Sequence, residues 1–312
     1  MKRCFVLVCL SVFVFSTQGA AASNKTKSKK VAVSSSPSGP VMVGDSVCQA
    51  CHQDQFVKFG KTLMGKYLSQ KTKSGNESFS CETCHGPGNL HAEAGGGRGV
   101  GGLITFGKGS TTPVEKQNAV CLQCHEQGDR LLWKGSSHQA RDVACTSCHT
   151  VMEKISPHAQ LAKTSEIETC GQCHEQKRAQ QMRFSHMPVR EGKMTCTSCH
   201  NPHGTLTEKL LKSTSANENC YSCHTEKRGP FLWEHPPVME NCINCHDPHG
   251  SNHEKMLKLP KPRLCQQCHD ESRHPTNPQS LGATRTLFGR SCSNCHFNIH
   301  GSNHPSGSAF TR

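Results

Sequence analysis

Apolar residues are concentrated at the N-terminus of this 312-residue chain and are sparse elsewhere. The longest apolar stretch runs from Cys4 to Phe15, interrupted only by Ser11, and it is too short to span a bilayer because a spanning helix needs about 20 residues. After it, segments such as 175–185 predict short helices, and stretches with Gly and Pro predict loops. No apolar–polar alternation is long enough for a sheet. The pattern predicts a mostly coil fold with short α-helices and almost no β-sheet.

The N-terminus has the features of an export signal. Lys2 and Arg3 precede the apolar stretch, and alanines at 20–22 offer a small-residue cleavage site. Neither Cys4 nor Cys9 lies after the stretch, where a lipid-modified cysteine would have to be. We expect an exported protein without a membrane anchor. Its predicted regions are a signal peptide at 1–22, a flexible leader rich in Ser, Lys and Pro at 23–45, and a folded domain at 46–312.

The composition indicates that side chains alone do not fill the interior. Only 33% of the residues are hydrophobic and 5% are aromatic, whereas about 45–50% apolar residues, counting Gly, are usual. The chain instead has 22 Cys and 21 His, which points to disulfides, metals or haem.

The spacing of the cysteines decides between these. Beyond the predicted signal peptide, all twenty cysteines fall into ten Cys-x-x-Cys pairs, each followed at once by His. The motifs, numbered 1 to 10, are Cys48, Cys51 and His52; Cys81, Cys84 and His85; Cys121, Cys124 and His125; Cys145, Cys148 and His149; Cys170, Cys173 and His174; Cys196, Cys199 and His200; Cys220, Cys223 and His224; Cys242, Cys245 and His246; Cys265, Cys268 and His269; and Cys292, Cys295 and His296.

This spacing is that of c-type haem attachment. Two thiols three residues apart add to the two vinyl groups of one porphyrin, and the adjacent imidazole reaches the iron. Zinc knuckles need no His beside each pair, and disulfide frameworks need no fixed triplet spacing. The sequence therefore predicts ten covalently bound c-type haems, attached outside the cytoplasm.

The net charge does not indicate a nucleic-acid partner. The formal charge of +13 becomes +11 without Lys2 and Arg3. Ten haems would add twenty propionates and ten ferric porphyrin cores, which leaves roughly +1 in the oxidised protein and roughly −9 after full reduction. Lysines and arginines are therefore expected beside propionates, and binding of nucleic acid is not expected.

The motifs repeat in pairs. Odd motifs begin at 48, 121, 170, 220 and 265, and even motifs begin at 81, 145, 196, 242 and 292. After the first pair, the module length is roughly fifty residues. So few residues for each haem predict an elongated array of five two-haem modules around a column of stacked haems.

Eleven histidines lie outside the motifs, close to the ten second axial ligands that the irons need. Nine are the first free histidine after a motif and are predicted distal ligands: His91, His138, His158, His186, His203, His235, His249, His274 and His300. His253 and His304 are left over, each in a His-Gly-Ser-Asn-His sequence. The spacing does not say which histidine serves which haem, because a ligand can come from another repeat.

The first module lacks one such histidine. No His lies between His52 and His85, and counting twelve residues from His52 reaches Met64. We predict Met64 as the sixth ligand of a haem in the first module. The alternatives are His253, His304 or another distant His in its place, or an open iron.

The chain resembles the decahaem c-type cytochromes of the MtrA/DmsE type over essentially its whole mature length. The resemblance is carried by the ten motifs in five tandem pairs, by the segment 84–88 (Cys-His-Gly-Pro-Gly) with His91 and the glycines at 95–97, and by Pro-His-Gly after even motifs. It implies a periplasmic electron conduit, associated with the outer membrane and seated in a β-barrel porin. The implied partners are that porin, an extracellular multihaem cytochrome or terminal reductase, and periplasmic or inner-membrane quinol-linked cytochromes.

Two other functions remain open. A multihaem nitrite or sulfur-oxyanion reductase needs an iron with an open sixth position, often marked by Lys in place of the motif His. All ten motifs keep His, which disfavours an enzyme. A soluble periplasmic shuttle, or a subunit of a cytochrome filament, would use the same haems without a porin.

Overall fold

The computed structural model describes residues 39–186, 189, 191–269 and 291–311. The predicted signal peptide, most of the predicted leader and His274 lie outside these residues. A folded unit begins at Pro40. The backbone N–H groups of Val43 and Gly44 both donate to the buried carboxylate of Glu82, at 2.9 Å each. The last residues of the predicted leader are therefore held against motif 2.

The α-helices of the described residues are short, with at most nine residues each. They are α1 (Asp45–Cys51), α2 (Gln53–Gly60), α3 (Leu63–Lys71), α4 (Glu82–His85), α5 (Asn89–Glu93), α6 (Val114–Leu122), α7 (Cys145–Cys148), α8 (Glu166–Cys170), α9 (Glu175–Gln181), α10 (Cys196–Cys199), α11 (Ala216–Tyr221) and α12 (Pro236–Glu240). Single 3₁₀ turns lie at Val100–Gly102, Gly128–Arg130, Gln139–Arg141, Glu208–Leu210, Thr225–Lys227, Cys242–Asn244, Glu254–Met256, Cys265–Gln267, Cys292–Asn294 and Gly307–Ala309.

These helices need support from outside themselves. An isolated helix shorter than about 12 residues is marginal in water, although Thr62, Ser165 and Ser215 each accept a backbone hydrogen bond as N-cap. Between the helices, the described chain forms isolated β-bridges but no strand. The prediction of a mostly coil fold with short helices is confirmed. Within the described ranges, every helix is too short or too polar to cross a membrane.

The apolar core of the described residues is small. Its buried side chains are Phe59, Leu68, Trp133, Ala144, Val189, Tyr221, Leu257 and Phe310. A conventional domain of this size would bury many more apolar side chains, since burial of apolar surface is the main favourable term in folding. Another apolar component must therefore stabilise this fold, as the composition predicts.

Buried polar side chains join the two motifs of a module. In three modules, the residue three positions before the first cysteine of the odd motif is Asp or Asn, is at most 8% exposed, and accepts the backbone N–H of the first cysteine of the even motif. The pairs are Asp45 with Cys81 at 2.9 Å, Asn118 with Cys145 at 2.8 Å, and Asn217 with Cys242 at 2.7 Å. These hydrogen bonds bring the two cysteine pairs of one module together.

Consecutive modules meet through the segments that follow the motifs. The segment after an odd motif contacts the segment after the even motif of the next module. Phe184 and Ser251 exchange two backbone hydrogen bonds of 3.2 and 2.9 Å, and Trp233 and Ser302 exchange two of 3.0 Å. The close approach requires glycine at position 250, where φ is +124° and a Cβ would collide with the backbone of Gln180.

Candidate functional site: a chain of haem attachment motifs

The cysteines of the ten motifs are all free thiols and form no disulfide among the described residues. In each motif, the backbone N–H of the histidine donates to the carbonyl of the first cysteine, four residues earlier, as with His52 and Cys48 at 2.9 Å. This single turn places the two thiols and the imidazole of a motif together. The disulfide alternative is therefore absent from the described structure, and the arrangement fits covalent attachment of a porphyrin.

The first cysteines of the two motifs in a module lie side by side. In all five modules, the two thiols are close enough that their interaction, together with burial, raises the pKa of one of them. The pairs are Cys48 with Cys81, Cys121 with Cys145, Cys170 with Cys196, Cys220 with Cys242, and Cys265 with Cys292. Motifs 1 and 2, 3 and 4, and so on are therefore spatial neighbours.

In the first four even motifs, the second cysteine lies near the next odd motif. The thiol of Cys84 is close enough to Cys121 for the charge of Cys121, after burial, to raise the pKa of Cys84. The same proximity joins Cys148 to Cys173, Cys199 to Cys223, and Cys245 to Cys268. Together with the contacts inside each module, these contacts place the ten motifs in space in their order along the chain.

Among the described residues, seven motif histidines each face one of the predicted distal histidines. The ring centres lie 6.0 to 6.2 Å apart in every pair. The pairs are His52 with His91, His149 with His203, His174 with His138, His200 with His249, His224 with His186, His246 with His300, and His269 with His235.

This separation is what a metal between two imidazoles needs. Two metal–imidazole bonds of roughly 2.0 Å, with about 1.1 Å from each bound nitrogen to its ring centre, require ring centres roughly 6.2 Å apart. The planes are within 21° of parallel in five pairs, and cross at 64° in His138–His174 and 54° in His186–His224. The residues thus fit haem irons held between two histidines, and each bound haem would supply an Fe(III)/Fe(II) couple.

The even-motif histidines are oriented by the backbone. In all five, Nδ1 hydrogen-bonds to a carbonyl: His85 to Ile104, His149 to Ala159, His200 to Lys209, His246 to Lys255, and His296 to Ala309. The first four of these bonds are 2.8 Å long. A hydrogen bond at Nδ1 fixes the ring and leaves Nε2 as the metal-binding atom.

Burial favours the neutral form of several facing imidazoles. It lowers the pKa of His203 and His249, and it lowers the pKa of His300 to about 4, with the charge of Lys227 as the second cause. Burial also lowers the pKa of His186 and His235. Neutral imidazole is the form that binds a metal.

Three predicted distal ligands are not among these seven pairs. His158 is exposed and faces no other ring in the described part of the chain, and His274 lies outside the described residues. Met64 is half-buried near the start of α3. Among the described residues, no imidazole faces His85 or His125; the ring of His85 instead packs edge-on against Phe106, with centres 5.3 Å apart.

Sequence reasoning did not find which module supplies each facing histidine. His203 and His249 lie 54 and 49 residues after the motif histidines that they face, in the next module. It also missed the buried Asp45, Asn118 and Asn217, although their shared place three residues before an odd motif is visible in the sequence.

Known proteins share these motifs. The family model described as cytochrome c-type protein NrfB-like matches residues 81–173, and the one described as doubled CXXCH motif matches 186–229 and 235–274. The cytochrome c-type protein NrfB of Escherichia coli O6:H1 is 29% identical over 137 residues, which are 43% of this chain and 67% of that protein.

The multiheme cytochrome MtrA of Shewanella baltica is 46% identical over 279 residues. The match covers 86% of this chain and 81% of that protein, and therefore includes nearly all of the motifs described above. Covalent c-type haem binding and electron transfer follow from the paired motifs and this relationship. The chain belongs to the MtrA family of multihaem c-type cytochromes.

Proposed function

We propose that the chain binds ten haems and conducts electrons along them from one end to the other. The observation that carries this proposal is the spatial order of the motifs, in which each motif neighbours the next from 1 to 10. Electron transfer between haems requires that the porphyrins lie close together, and this order offers one continuous path.

The seven facing pairs are the proposed axial ligands of their irons. Their ring centres are 6.0 to 6.2 Å apart, which matches the spacing of two imidazoles bound to one iron. His274 is proposed as the distal ligand of the iron at His296, in the last module. Ligands of this kind leave no open position for a substrate, so we propose an electron-transfer protein and not a reductase.

The proposed location is the periplasmic side of the outer membrane, within a β-barrel porin. The signal-peptide pattern at 1–22 and the relationship to MtrA support this proposal. The proposed partners on the outside are an extracellular multihaem cytochrome or a terminal reductase. Those on the inside are periplasmic or inner-membrane quinol-linked cytochromes, so that the complex would serve extracellular respiration.

A soluble periplasmic shuttle is the second proposal, because the same ordered path of motifs could carry electrons without a porin. The two proposals differ in whether the protein conducts across a membrane. The test uses the native membrane fraction, from which the haem protein is purified and inserted into liposomes that hold a reduced viologen dye. Soluble ferric citrate is then added outside, and the absorbance of the trapped dye is followed.

The conduit proposal predicts that a barrel protein co-purifies and that the trapped dye is oxidised. Liposomes with the barrel but without the haem protein are the control, and their dye should stay reduced. If all of the haem protein is soluble and monomeric in cells that express its neighbouring genes, and the dye stays reduced, the conduit proposal is wrong and the shuttle is favoured.

A further inference from the structure

The facing pairs follow a rule that depends on whether a motif is odd or even. The histidine that faces an odd motif follows the odd motif of the preceding module: His138 faces His174, for example. The histidine that faces an even motif follows the even motif of the next module, as His203 faces His149. Each contact between two modules therefore brings a facing histidine to one motif of each module.

The same rule predicts which residues should be the sixth ligands of the irons at motifs 2 and 3. The ligand for motif 3 should lie 11 to 13 residues after His52, as His138, His186 and His235 do after their motif histidines; the residue twelve positions on is Met64. The ligand for motif 2 should lie three or four residues after His149, as His203, His249 and His300 do; the residue three positions on is Met152. Both positions hold methionine.

The first two modules also meet through the segments that follow an odd and an even motif. The segments after motifs 5 and 8 are joined by Phe184 and Ser251, and the segments after motifs 1 and 4 are joined by an ion pair between Lys58 and Glu153, with Nζ and Oε2 3.2 Å apart. Glu153 is the residue after Met152. The ion pair between Lys58 and Glu153 thus joins modules 1 and 2 at the place where backbone hydrogen bonds join the later modules.

His158 does not occupy the ligand position of its segment. Its backbone N–H donates to the hydroxyl of the serine two residues earlier, at 3.2 Å, and the N–H groups of His253 and His304 make the same bond at 3.0 and 3.1 Å. In the turn after motif 6, the backbone N–H of Thr207 makes the corresponding hydrogen bond, so this position holds threonine and not histidine. His200 nevertheless faces His249. The structure therefore groups His158 with the surplus histidines.

The rule also explains why only two irons lack a histidine. Motif 1 has no preceding module, and His52 faces His91 of its own module. The iron at His296 has the proposed ligand His274, also of its own module. Motifs 2 and 3 are the remaining pair: His85 and His125 face no imidazole among the described residues, and neither has a histidine in its own module proposed as its ligand.

We propose that Met152 is the sixth ligand of the haem at His85 and that Met64 is the sixth ligand of the haem at His125. This inference rests on the proposed ten-haem function and adds two adjacent His/Met haems near the N-terminal end of the path. A thioether stabilises ferrous iron relative to imidazole, so these haems have higher reduction potentials than their bis-histidine neighbours. Electrons that enter at motif 1 therefore collect at motifs 2 and 3.

The test is near-infrared magnetic circular dichroism of the fully oxidised holoprotein. Bis-imidazole and imidazole–thioether irons give separate charge-transfer bands, with the thioether band at longer wavelength. The expected thioether intensity corresponds to two haems. Met64→His and Met152→His should each halve it, and the double variant should abolish it and lower the potentials of the two highest-potential haems. Met182→His, at an exposed methionine in the segment that already holds His186, is the matched control and should change nothing.

A spectrum with bis-imidazole bands alone, or with high-spin iron at two haems, overturns the inference and leaves the ten-haem function intact. A thioether band that persists at full intensity in the double variant also overturns it. If Met64→His halves the band and Met152→His does not, the assignment of Met152 is wrong. Eight or fewer haems in the mature protein overturns the proposed function instead.

Discussion

Gly250 offers the sharpest test of how one module orders the iron site of another. Its φ is +124°, and a Cβ added there would lie 2.8 Å from the carbonyl carbon of Gln180, whose oxygen is closer still. The backbone strain costs of order 1–3 kcal/mol, and overpacking against a fixed backbone typically costs a further 1–3 kcal/mol. Gly250→Ala incurs both costs. It should therefore disfavour the native contact between Gly250 and Gln180 by about 2–6 kcal/mol.

The expected consequence appears at one haem. Because Gly250 follows His249, relief of the collision moves His249 away from His200, whose ring centre lies 6.0 Å from it. A change of 2 kcal/mol or more is roughly thirtyfold in the equilibrium between paired and separated rings. The oxidised variant should show the electron paramagnetic resonance signal of a single high-spin haem, and should bind cyanide at that haem.

Gly60→Ala is the matched control, because a Cβ at Gly60 would have no atom within 4 Å and needs no positive φ. It should keep every haem low-spin. If Gly250→Ala also stays low-spin, with the thermal stability of the control, the contact between modules does not position His249 and the reasoning is refuted.

Two further variants test the other parts of the site. Asn217→Leu removes the acceptor of the Cys242 N–H and should cost about 1–3 kcal/mol because that N–H stays buried and unpaired; thermal unfolding should show this loss, whereas an unchanged midpoint would refute the role of Asn217. His300→Ala should make the haem at His246 high-spin with the other haems unchanged, because only this pair is broken; resonance Raman spectroscopy of the oxidised protein checks this, and a fully low-spin spectrum would contradict the pairing.

The sequence predicts where the haems attach better than it predicts which histidine faces which motif. The Cys-x-x-Cys-His motifs identify the attachment sites because the spacing of the thiols is set by the porphyrin. The histidines of Pro-His-Gly are recognisable as ligands, but their partners are set by contacts such as Phe184 with Ser251, 67 residues apart. His158 shows the limit: its distance from motif 4 predicts a ligand, whereas its backbone N–H makes the same hydrogen bond to a serine two residues earlier as that of His253, which the spacing leaves unassigned.

The role of the methionines depends on the same geometry. Met64 is suggested by spacing alone, because no histidine competes with it in the first module. Met152 is not suggested by spacing, since His158 lies nearby in the sequence. It is identified only when the facing pairs establish that an even motif takes its ligand three or four residues after the next even motif.

The number of haems in the mature protein tests the central claim most directly. The pyridine haemochrome absorbance gives the haem concentration, amino-acid analysis gives the protein concentration, and the intact mass gives the covalently bound number. Ten motifs with neighbouring thiols predict ten haems in every fully matured molecule. A mature protein with eight or fewer covalent haems would break the path and contradict the account.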